Sequence, residues 1–287
     1  GGIYGKSGGI VKNSHVTANQ ARYGAGIYLE SAGRADNCLI SHNEANFYGG
    51  GIYLYYGGEA TGNTIVSNDA GYSGGGVYRR YDSGIVQNSI LWNNNDEEFY
   101  YSGSDTGIEY CAVEGGYTGS GAASGIINLS SQNTGTGTEN YPEFRNPNTY
   151  QGYNSSMIQS FLDADWSINC NSSCIDTASS SLIPLGITQD IEGNNRVVDG
   201  NIDGNPKPDM GAYEYFSAYS VNMSICEGDT LNFNGQHLTN TGVYNDTLTD
   251  NFSCDSIVTL DLTVIPTDSL IINQSICQGD VFTYNGL

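Results

Sequence analysis

The stretch Gly49-Gly50-Gly51-Ile52-Tyr53-Leu54 decides the fold, because closely related stretches recur along the first hundred residues. The apolar residue after the glycines falls at Ile3, Ile27, Ile52 and Val77, in steps of 24, 25 and 25 residues. A repeat of about two dozen residues is typical of a chain that coils and stacks on itself. The repeat therefore indicates a solenoid.

Each repeat contains two short apolar stretches that alternate with period two, as β-strands do. In the third repeat these are Ile52-Tyr53-Leu54 and Asn63-Thr64-Ile65-Val66-Ser67-Asn68. Neither strand buries its apolar face alone, but coils spaced about 4.8 Å apart pair strand on strand. We therefore predict an all-β fold, a right-handed single-stranded parallel β-helix (a pectate-lyase-like solenoid) over residues 1–215.

Polar residues keep the same spacing and predict side-chain amide ladders between coils. The first series is Asn13, Asn37, Asn63 and Asn88, and the second is Asn19, Asn43, Asn68 and Asn93. Arg79 departs from the repeat, because it falls in the register of Leu29 and Leu54. Either its strand ends one residue early, or its guanidinium reaches out past the core.

The chain is strongly acidic, with 31 Asp and Glu against 9 Lys and Arg and a net charge of −22 over 287 residues. This charge disfavours nucleic acids and anionic membranes as partners. No apolar run approaches the roughly 18 residues of a membrane span, so we expect no transmembrane segment. The chain starts without Met and within a repeat, and we expect a fragment of a longer protein.

A family resemblance is carried by the segment from His15 to Ala21 and by Gly24-Ala25-Gly26-Ile27. These residues resemble the repeat of polymorphic outer-membrane proteins, over about a third of the chain. Ser173-Cys174-Ile175-Asp176 and Asp209-Met210-Gly211-Ala212-Tyr213-Glu214 resemble the closing turns of secreted bacterial β-helix surface proteins. The resemblance implies an extracellular or cell-surface location, associated with the outer membrane. Closing turns are expected over 165–215, after a loop-rich part at 115–150.

The tail changes character, since its residues alternate without glycine clusters, as in the stretch from Asp255 to Val264. Such alternation predicts a small antiparallel, β-sandwich-like module. The string Cys226-Glu227-Gly228-Asp229 recurs as Cys277-Gln278-Gly279-Asp280, and it resembles immunoglobulin-like stalk repeats. We expect one complete repeat at 216–265 and the start of a second, truncated repeat at 266–287.

Seven cysteines in a chain that looks secreted suggest disulfides. Cys38 and Cys111 share one slot of the repeat, three coils or roughly 14 Å apart, about twice the limiting Cα separation of ~7 Å. Both are therefore expected to be free. The candidates for bridges are Cys170 with Cys174, and Cys226 with Cys254.

Tyrosines give the better functional lead. One follows each apolar residue of the repeat, so alternation points it outward, and Tyr55 and Tyr56 widen the strip locally. The strip consists of Tyr4, Tyr28, Tyr53 and Tyr78. Stacked aromatic rings stabilise a parallel sheet by themselves, and a flat aromatic strip also docks sugar rings or a partner protein. Both interpretations remain open from sequence.

Candidate chemistry is sparse. Asp163 and Asp165 would stand about 6.6 Å apart on one face of an extended strand, which permits a glycosidase-type carboxylate pair. With nearby Asp176 they are also weak calcium candidates; no other metal or cofactor is expected. The remaining acidic residues of the closing turns are expected to accept backbone N–H groups. They are Asp190, Glu192, Asp199, Asp203 and Asp209.

The leading functional hypothesis is a non-enzymatic, adhesin-like protein. Its β-helix head would contact a glycan or a surface protein and would be carried on stalk repeats. The alternative is a carbohydrate-active β-helix enzyme, a polysaccharide lyase or glycoside hydrolase. Its site would lie in the long loops or in coils that precede this stretch of sequence.

Overall fold

The computed structural model of the chain describes residues 2–81, 84–103, 107–117, 124–130, 140–267 and 275–283. Two units are present, one comprising Gly1–Ala218 with Thr249–Ser256 and the other Tyr219–Leu248 with Ile257–Leu287. The first unit is a parallel β-solenoid of about four turns. The prediction of a nearly all-β solenoid of stacked parallel sheets is confirmed. Parts of the expected loop region, 118–123 and 131–139, lie outside the described residues.

The coils are built from short strands that follow one another around the solenoid. The first coil contains β1 (Ile3–Lys6), β2 (Ile10–Lys12), β3 (His15–Thr17) and β4 (Gln20–Tyr23). The second contains β5 (Ile27–Glu30), β6 (Arg34–Asp36), β7 (Leu39–Ser41) and β8 (Glu44–Tyr48). The third contains β9 (Ile52–Tyr55), β10 (Glu59–Thr61), β11 (Thr64–Val66) and β12 (Asp69–Ala70).

Shorter coils follow, and they lead into the closing region. The fourth contains β13 (Val77–Arg80), β14 (Ile85–Gln87) and β15 (Ile90–Trp92), and the fifth contains β16 (Phe99–Ser102), β17 (Ile108–Glu109) and β18 (Ala112–Glu114). Beyond them lie β19 (Ile127–Leu129), β20 (Phe144–Asn146), α1 (Ile158–Leu162), β21 (Asp165–Ile168) and a 3-10 turn (Ser180–Leu182).

Like strands of successive coils pair in parallel and form the faces of the solenoid. One sheet has the order β1-β5-β9-β13-β16, the next β2-β6-β10-β14-β17, and the third β3-β7-β11-β15-β18-β19. A shorter sheet, β4-β8-β12, completes the first three coils. In the first sheet Ile3 pairs with Ile27, Ile27 with Ile52, and Ile52 with Val77, which confirms the register read from the repeat.

The core is a set of aliphatic stacks inside the coils. Ile27, Ile52 and Val77 form one stack and are fully buried, as are Leu29 and Leu54 in the next slot. Burial of such a side chain stabilises the folded state by about 1.5–3 kcal/mol. Because no coil buries its strands alone, this stabilisation depends on stacking.

A ladder of asparagine amides links the coils, with one correction to its membership. Asn19 donates to Asn43, Asn43 to Asn68 and Asn68 to Asn94, at 3.0, 2.9 and 2.9 Å. The prediction of Asn93 as the fourth member is wrong, because the fourth member is Asn94, one residue later. The reason is one extra residue at a corner: Arg80 pairs with Tyr55, 25 positions back, whereas Ile85 pairs with Glu59, 26 back.

The other asparagine series is also broken. Asn37 donates to Asn13 at 2.9 Å, as expected. Asn63, however, accepts from the backbone N–H of Cys38 at 2.9 Å and its own N–H donates to the Ser89 hydroxyl at 3.0 Å. Asn63 therefore occupies the slot of Cys38, one position beyond that of Asn37, and the predicted alignment of all four residues is wrong.

Carboxylates of the closing turns accept backbone N–H groups, as predicted for Asp190, Asp199 and Asp209. Asp190 accepts from the N–H groups of Glu192, Asn194 and Glu214, and Asp209 accepts from those of Asp176 and Tyr215. Asp199 accepts from those of Asp203 and Gly204. A buried ion pair, Arg196 with Glu214 at 2.6 Å, joins them. These carboxylates provide hydrogen-bond acceptors for backbone N–H groups that have no partner strand in this irregular region.

The disulfide differs from both predicted pairings. Cys170 is bonded to Cys254 with Cα atoms 5.6 Å apart, while Cys174 and Cys226 are free thiols. Cys174 points into the core cluster that contains Ile175 and is fully buried, whereas Cys226 is exposed at the end of its strand. The bridge ties Thr249–Ser256 to the closing region within the first unit.

The second unit is small and built from short sheets. Its strands are β22 (Ala218–Cys226), β23 (Leu231–Phe233), β24 (Gln236–Leu238), β25 (Gly242–Thr249) and β26 (Asp255–Ile265). One sheet has the order β22-β26-β25, and β23 pairs antiparallel with β24. Leu238, Leu260 and Leu262 form its buried cluster. Of the expected second repeat, 268–274 and 284–287 lie outside the described residues.

No helix in the described ranges is both long enough and apolar enough to cross a membrane.

Candidate binding surface of stacked tyrosines and a corner cavity

The predicted tyrosine strip forms a continuous ladder on the first sheet. Its rungs are Tyr4, Tyr28, Tyr53, Tyr78 and Tyr100, which we call the tyrosine ladder. Successive ring centroids lie 5.3, 4.9, 5.2 and 5.2 Å apart. This spacing follows the separation of strands in a sheet, so the stacking of coils sets the stacking of rings.

The ladder is covered in its middle. Tyr4 is 58% exposed, whereas Tyr53 is 2% exposed, because rings from the shorter sheet pack over the strip. Tyr23 lies 5.8 Å from Tyr53, and Tyr48 lies 4.6 Å from Tyr78. Burial raises the pKa of both Tyr53 and Tyr78. The middle rungs are therefore neutral core residues rather than an open face.

A second pair of tyrosines stays open to solvent at the corner after this sheet. Tyr56 and Tyr81, the corner pair, are 54% and 39% exposed, and their rings stack at 4.3 Å and 14°. Both residues have positive φ, 55° and 65°. Ser7 and Ser31 take the same corner conformation in the first two coils, with φ of 54° and 63°. Aromatic rings at this corner are therefore not a requirement of the coil.

Arg80 joins the ladder to the corner pair. Its guanidinium lies 5.2 Å from the centre of the Tyr81 ring and 5.7 Å from that of Tyr55. It also donates to the Tyr53 hydroxyl at 3.3 Å. Tyr55, a predicted member of the strip, packs edge-on against Tyr56 at 4.5 Å. The corner rings are thus held by the cation–π contact of Arg80 with Tyr81 and by the packing of Tyr55 against Tyr56.

A cavity of about 750 Å³ opens beside the corner pair, and we call it the corner cavity. Its wall includes Tyr56, Arg34, Glu59, Arg79 and Ser31. Arg34 is paired with Asp36 at 2.7 Å and lies 3.6 Å from Glu59. Burial raises the pKa of Asp36 to about 6, although Arg34 opposes this shift.

Arg79 forms the inner wall of the corner cavity. It pairs with Leu54 in the sheet, as its register predicts, and its strand continues through Arg80. The strand therefore does not end early. The side chain is 2% exposed and its Nε donates to the Gly84 carbonyl at 2.9 Å. Its guanidinium lies against Gly107, where a Cβ would approach Nε to 3.0 Å.

A further aromatic row flanks the other edge of the ladder. Phe47 and Tyr72 stack at 5.3 Å with ring planes 2° apart, and Tyr48 packs against Tyr72 at 6.0 Å. Arg22 lies 5.0 Å from the centre of the Phe47 ring and 5.4 Å from that of Tyr23. This row covers the ladder and leaves Tyr72 exposed.

Two carboxyl groups meet at the end of the asparagine ladder. Glu98 accepts from the backbone N–H of Asn94 at 2.8 Å, and Glu114 accepts from the N–H of Asn93 at 2.5 Å. Burial raises the pKa of Glu98 well above its usual value; hydrogen bonds from Asn94 oppose the shift, and Glu114 adds to it. Both line a cleft of about 560 Å³ with Tyr101 and Tyr117.

The predicted aspartates do not form a site together. Asp163 follows α1 as its C-cap residue and accepts from Gln159 at 2.8 Å, so it does not share a strand face with Asp165. Asp165 begins β21 and accepts from the N–H of Ser167, while Asp176 is buried in the closing turns and accepts from Asn201. Within the described ranges, no three His, Cys, Asp or Glu residues are grouped as metal ligands.

The two cysteines of the repeat are free, as predicted. Cys38 and Cys111 are buried, and burial raises the pKa of each thiol to about 12. Their sulfurs contact the backbone carbonyls of Asp36 and Glu109 at 3.2 and 3.3 Å. A thiol that stays protonated is a poor nucleophile and metal ligand, so they act as small core residues.

Sequence reasoning missed Tyr81 and the corner cavity. A signal was present, since Ser7, Ser31, Tyr56 and Tyr81 follow the same steps of 24, 25 and 25 residues as the ladder. Comparison with known proteins adds no assignment: no protein family, no curated protein and no solved structure matches the chain.

Proposed function

We propose that the chain is a non-enzymatic carbohydrate-binding protein of the cell surface, adhesin-like, whose β-solenoid presents an aromatic surface to a glycan. The observation that carries the proposal is the corner pair. Tyr56 and Tyr81 expose stacked rings where the first two coils have Ser7 and Ser31. The coil folds without aromatic rings at this corner, so their presence calls for another role.

The physical chemistry of the surface suits sugars. An aromatic ring presents an apolar face and, in tyrosine, a hydroxyl that hydrogen-bonds at its edge. The low cost of ordering such rigid side chains favours their use in recognition. A net charge of −22 argues against nucleic acid as the ligand. A repeated coil also offers a linear array to an extended chain.

The secreted location and the stalk belong to the same proposal. The sequence resemblance to bacterial outer-membrane β-helix repeats supports a surface location. The Cys170–Cys254 disulfide supports an oxidising compartment, since such bonds persist mainly outside the cytosol. The short sheets of the second unit are compatible with an immunoglobulin-like stalk module that holds the solenoid away from the cell.

A glycan panel tests the proposal. The whole chain is screened against immobilised polysaccharides, alongside the double variant Tyr56→Ser/Tyr81→Ser and the control Tyr219→Ser. Tyr219 is an exposed tyrosine of the second unit. We expect binding to at least one glycan, lost in the double variant and kept in the control. Binding that is equal in all three proteins, or absent from the whole panel, contradicts the proposal.

One observation favours the enzymatic alternative, a lyase or hydrolase. Glu98 and Glu114 place a carboxyl group of raised pKa beside a second one in an aromatic cleft, and such pairs perform acid–base catalysis. The same glycans are assayed for new reducing ends and for unsaturated ends. Products that disappear in Glu114→Gln, a variant of equal size, would establish this function in place of the first.

A further inference from the structure

We propose that the corner cavity binds one neutral pyranose ring of a glycan, and that Arg34 and Glu59 recognise neighbouring hydroxyls while the corner pair holds the ring face. This inference rests on the proposed function and specifies its ligand class. It assigns a site to charged residues that the sequence did not single out.

Three residues that depart from the repeat lie together here: Tyr56 and Arg79 line the cavity, and Tyr81 stacks on Tyr56. Tyr56 and Tyr81 occupy the corner position that Ser7 and Ser31 occupy in the first two coils. Arg79 occupies the position that Leu29 and Leu54 occupy in the second and third coils. The other coils serve as an internal control, because they stack without these residues. Stacking therefore does not explain why the departures are found together beside one cavity.

Each departure is also unfavourable for folding. Bulky residues rarely adopt positive φ, and such strain is typical of functional sites. A guanidinium in an aliphatic stack loses its hydration and must be held by polar partners, as the Gly84 carbonyl holds Arg79. Costs that the coil itself does not require point to a ligand.

The polar wall matches a pair of sugar hydroxyls. Arg34 and Glu59 are 3.6 Å apart, which exceeds a hydrogen bond, and their side chains are 27% and 55% exposed. Arginine is a donor without acceptors and an ionised carboxylate is an acceptor without donors. A hydroxyl can accept from Arg34 while its neighbour donates to Glu59, and both bonds are charge-assisted.

Charge and size select a neutral sugar. Asp36 and Glu59 already offset the charge of Arg34, and the chain carries −22 overall, so a sugar carboxylate is repelled rather than attracted. The volume of about 750 Å³ lies within the range of about 300–1,000 Å³ that small-ligand sites occupy. The ring of Tyr56 in the cavity wall, with Tyr81 stacked on it, supplies the apolar face on which a pyranose stacks.

Calorimetric titration of the whole chain tests the inference with named probes. Cellohexaose, mannohexaose and galactohexaose are the neutral probes, and hexagalacturonate is the acidic one. The variants are Glu59→Gln and Arg34→Gln, with Glu44→Gln on β8 as the matched control. Thermal melting of every variant confirms that it is folded.

We expect at least one neutral hexasaccharide to bind, with affinity reduced tenfold or more in Glu59→Gln and Arg34→Gln and unchanged in Glu44→Gln. Preference for hexagalacturonate, or neutral binding that Tyr56→Ser/Tyr81→Ser abolishes but Glu59→Gln leaves unchanged, overturns the inference and leaves the proposed function standing. If the chain binds no saccharide in this set or on the polysaccharide panel, both fail.

Discussion

Tyr53 in the ladder and Tyr56 at the corner are three positions apart in one coil, yet they have opposite environments. Tyr53 is 2% exposed and stacked on both sides, whereas Tyr56 is 54% exposed and has positive φ. Each strand of the first sheet supplies one tyrosine of the ladder. At the corner, by contrast, the first two coils have serine instead of tyrosine. The comparison separates buried aromatic rings that stabilise the solenoid from exposed rings that are available to a ligand.

The largest expected effect breaks the ladder. Tyr53→Ala removes a buried ring with neighbours above and below, and it leaves a cavity that the coils cannot close. We expect the free energy of unfolding to fall by about 3–5 kcal/mol, measured by urea denaturation. Tyr81→Ser serves as the matched change at the corner. Equal losses in both variants would refute the division between the two regions.

A pH effect distinguishes the corner, because Arg34 in the wall of the corner cavity is paired with the carboxyl group of Asp36. Asp36 has a pKa of about 6, above an ordinary value of 3.8. The folded state therefore binds more protons between these values, and stability falls as pH rises from about 4 to about 6.

Asp36→Asn removes this contribution, since the amide resembles the protonated acid. After a discount for solvent screening, we expect wild type to lose about 1–2 kcal/mol relative to Asp36→Asn across that window. Unfolding curves of both proteins between pH 4 and pH 7 measure the difference. A difference that is constant, or that grows in the other direction, would contradict the assignment.

Arg80 connects the two regions, so its replacement sharpens the comparison. Arg80→Gln removes the cation–π contacts to Tyr81 and Tyr55 and the hydrogen bond to Tyr53. We expect a loss of about 0.5–1 kcal/mol in unfolding free energy. We expect the free energy of saccharide binding to weaken by more than the free energy of unfolding, because the corner rings lose their contacts with Arg80. A variant with unchanged affinity would show that the corner pair needs no such support.

The smallest expected effect is at the corner itself. Tyr56→Asn loses the stacking with Tyr81, worth about 0.5–1.5 kcal/mol, but asparagine tolerates positive φ better than tyrosine. We expect the two terms to offset each other and leave stability within about 0.5 kcal/mol of wild type. Chemical denaturation measures this. A loss above about 2 kcal/mol would place Tyr56 with the structural rings.

The solenoid was predictable because stacking repeats one physical requirement in every coil. Ile27, Ile52 and Val77 had to share a slot, and the sequence spacing located that slot without knowledge of the structure. Asn94 was missed because one extra residue between Arg80 and Ile85 shifts the positions that follow in the same coil. The spacing of a repeat predicts which residues of successive coils align only as long as every corner keeps the same length.

The Cys170–Cys254 bridge and the corner cavity were not predictable for a different reason. The two cysteines are 84 residues apart, and no local pattern indicates that they meet. The corner cavity combines Arg34 with Glu59 from neighbouring strands, and its significance depends on which side chains remain exposed. Tyr56 could be noted from sequence, but its exposure could not be distinguished from the burial of Tyr53.

The central claim is that the corner pair binds a saccharide, whereas the tyrosine ladder stabilises the solenoid. One paired measurement on Tyr56→Ser/Tyr81→Ser tests it most directly. Urea unfolding and saccharide titration are carried out on the same preparation of this variant and of wild type. The account predicts unfolding free energies within about 1 kcal/mol and a loss of saccharide affinity of tenfold or more. A fall in stability above about 2 kcal/mol with saccharide affinity unchanged would contradict it.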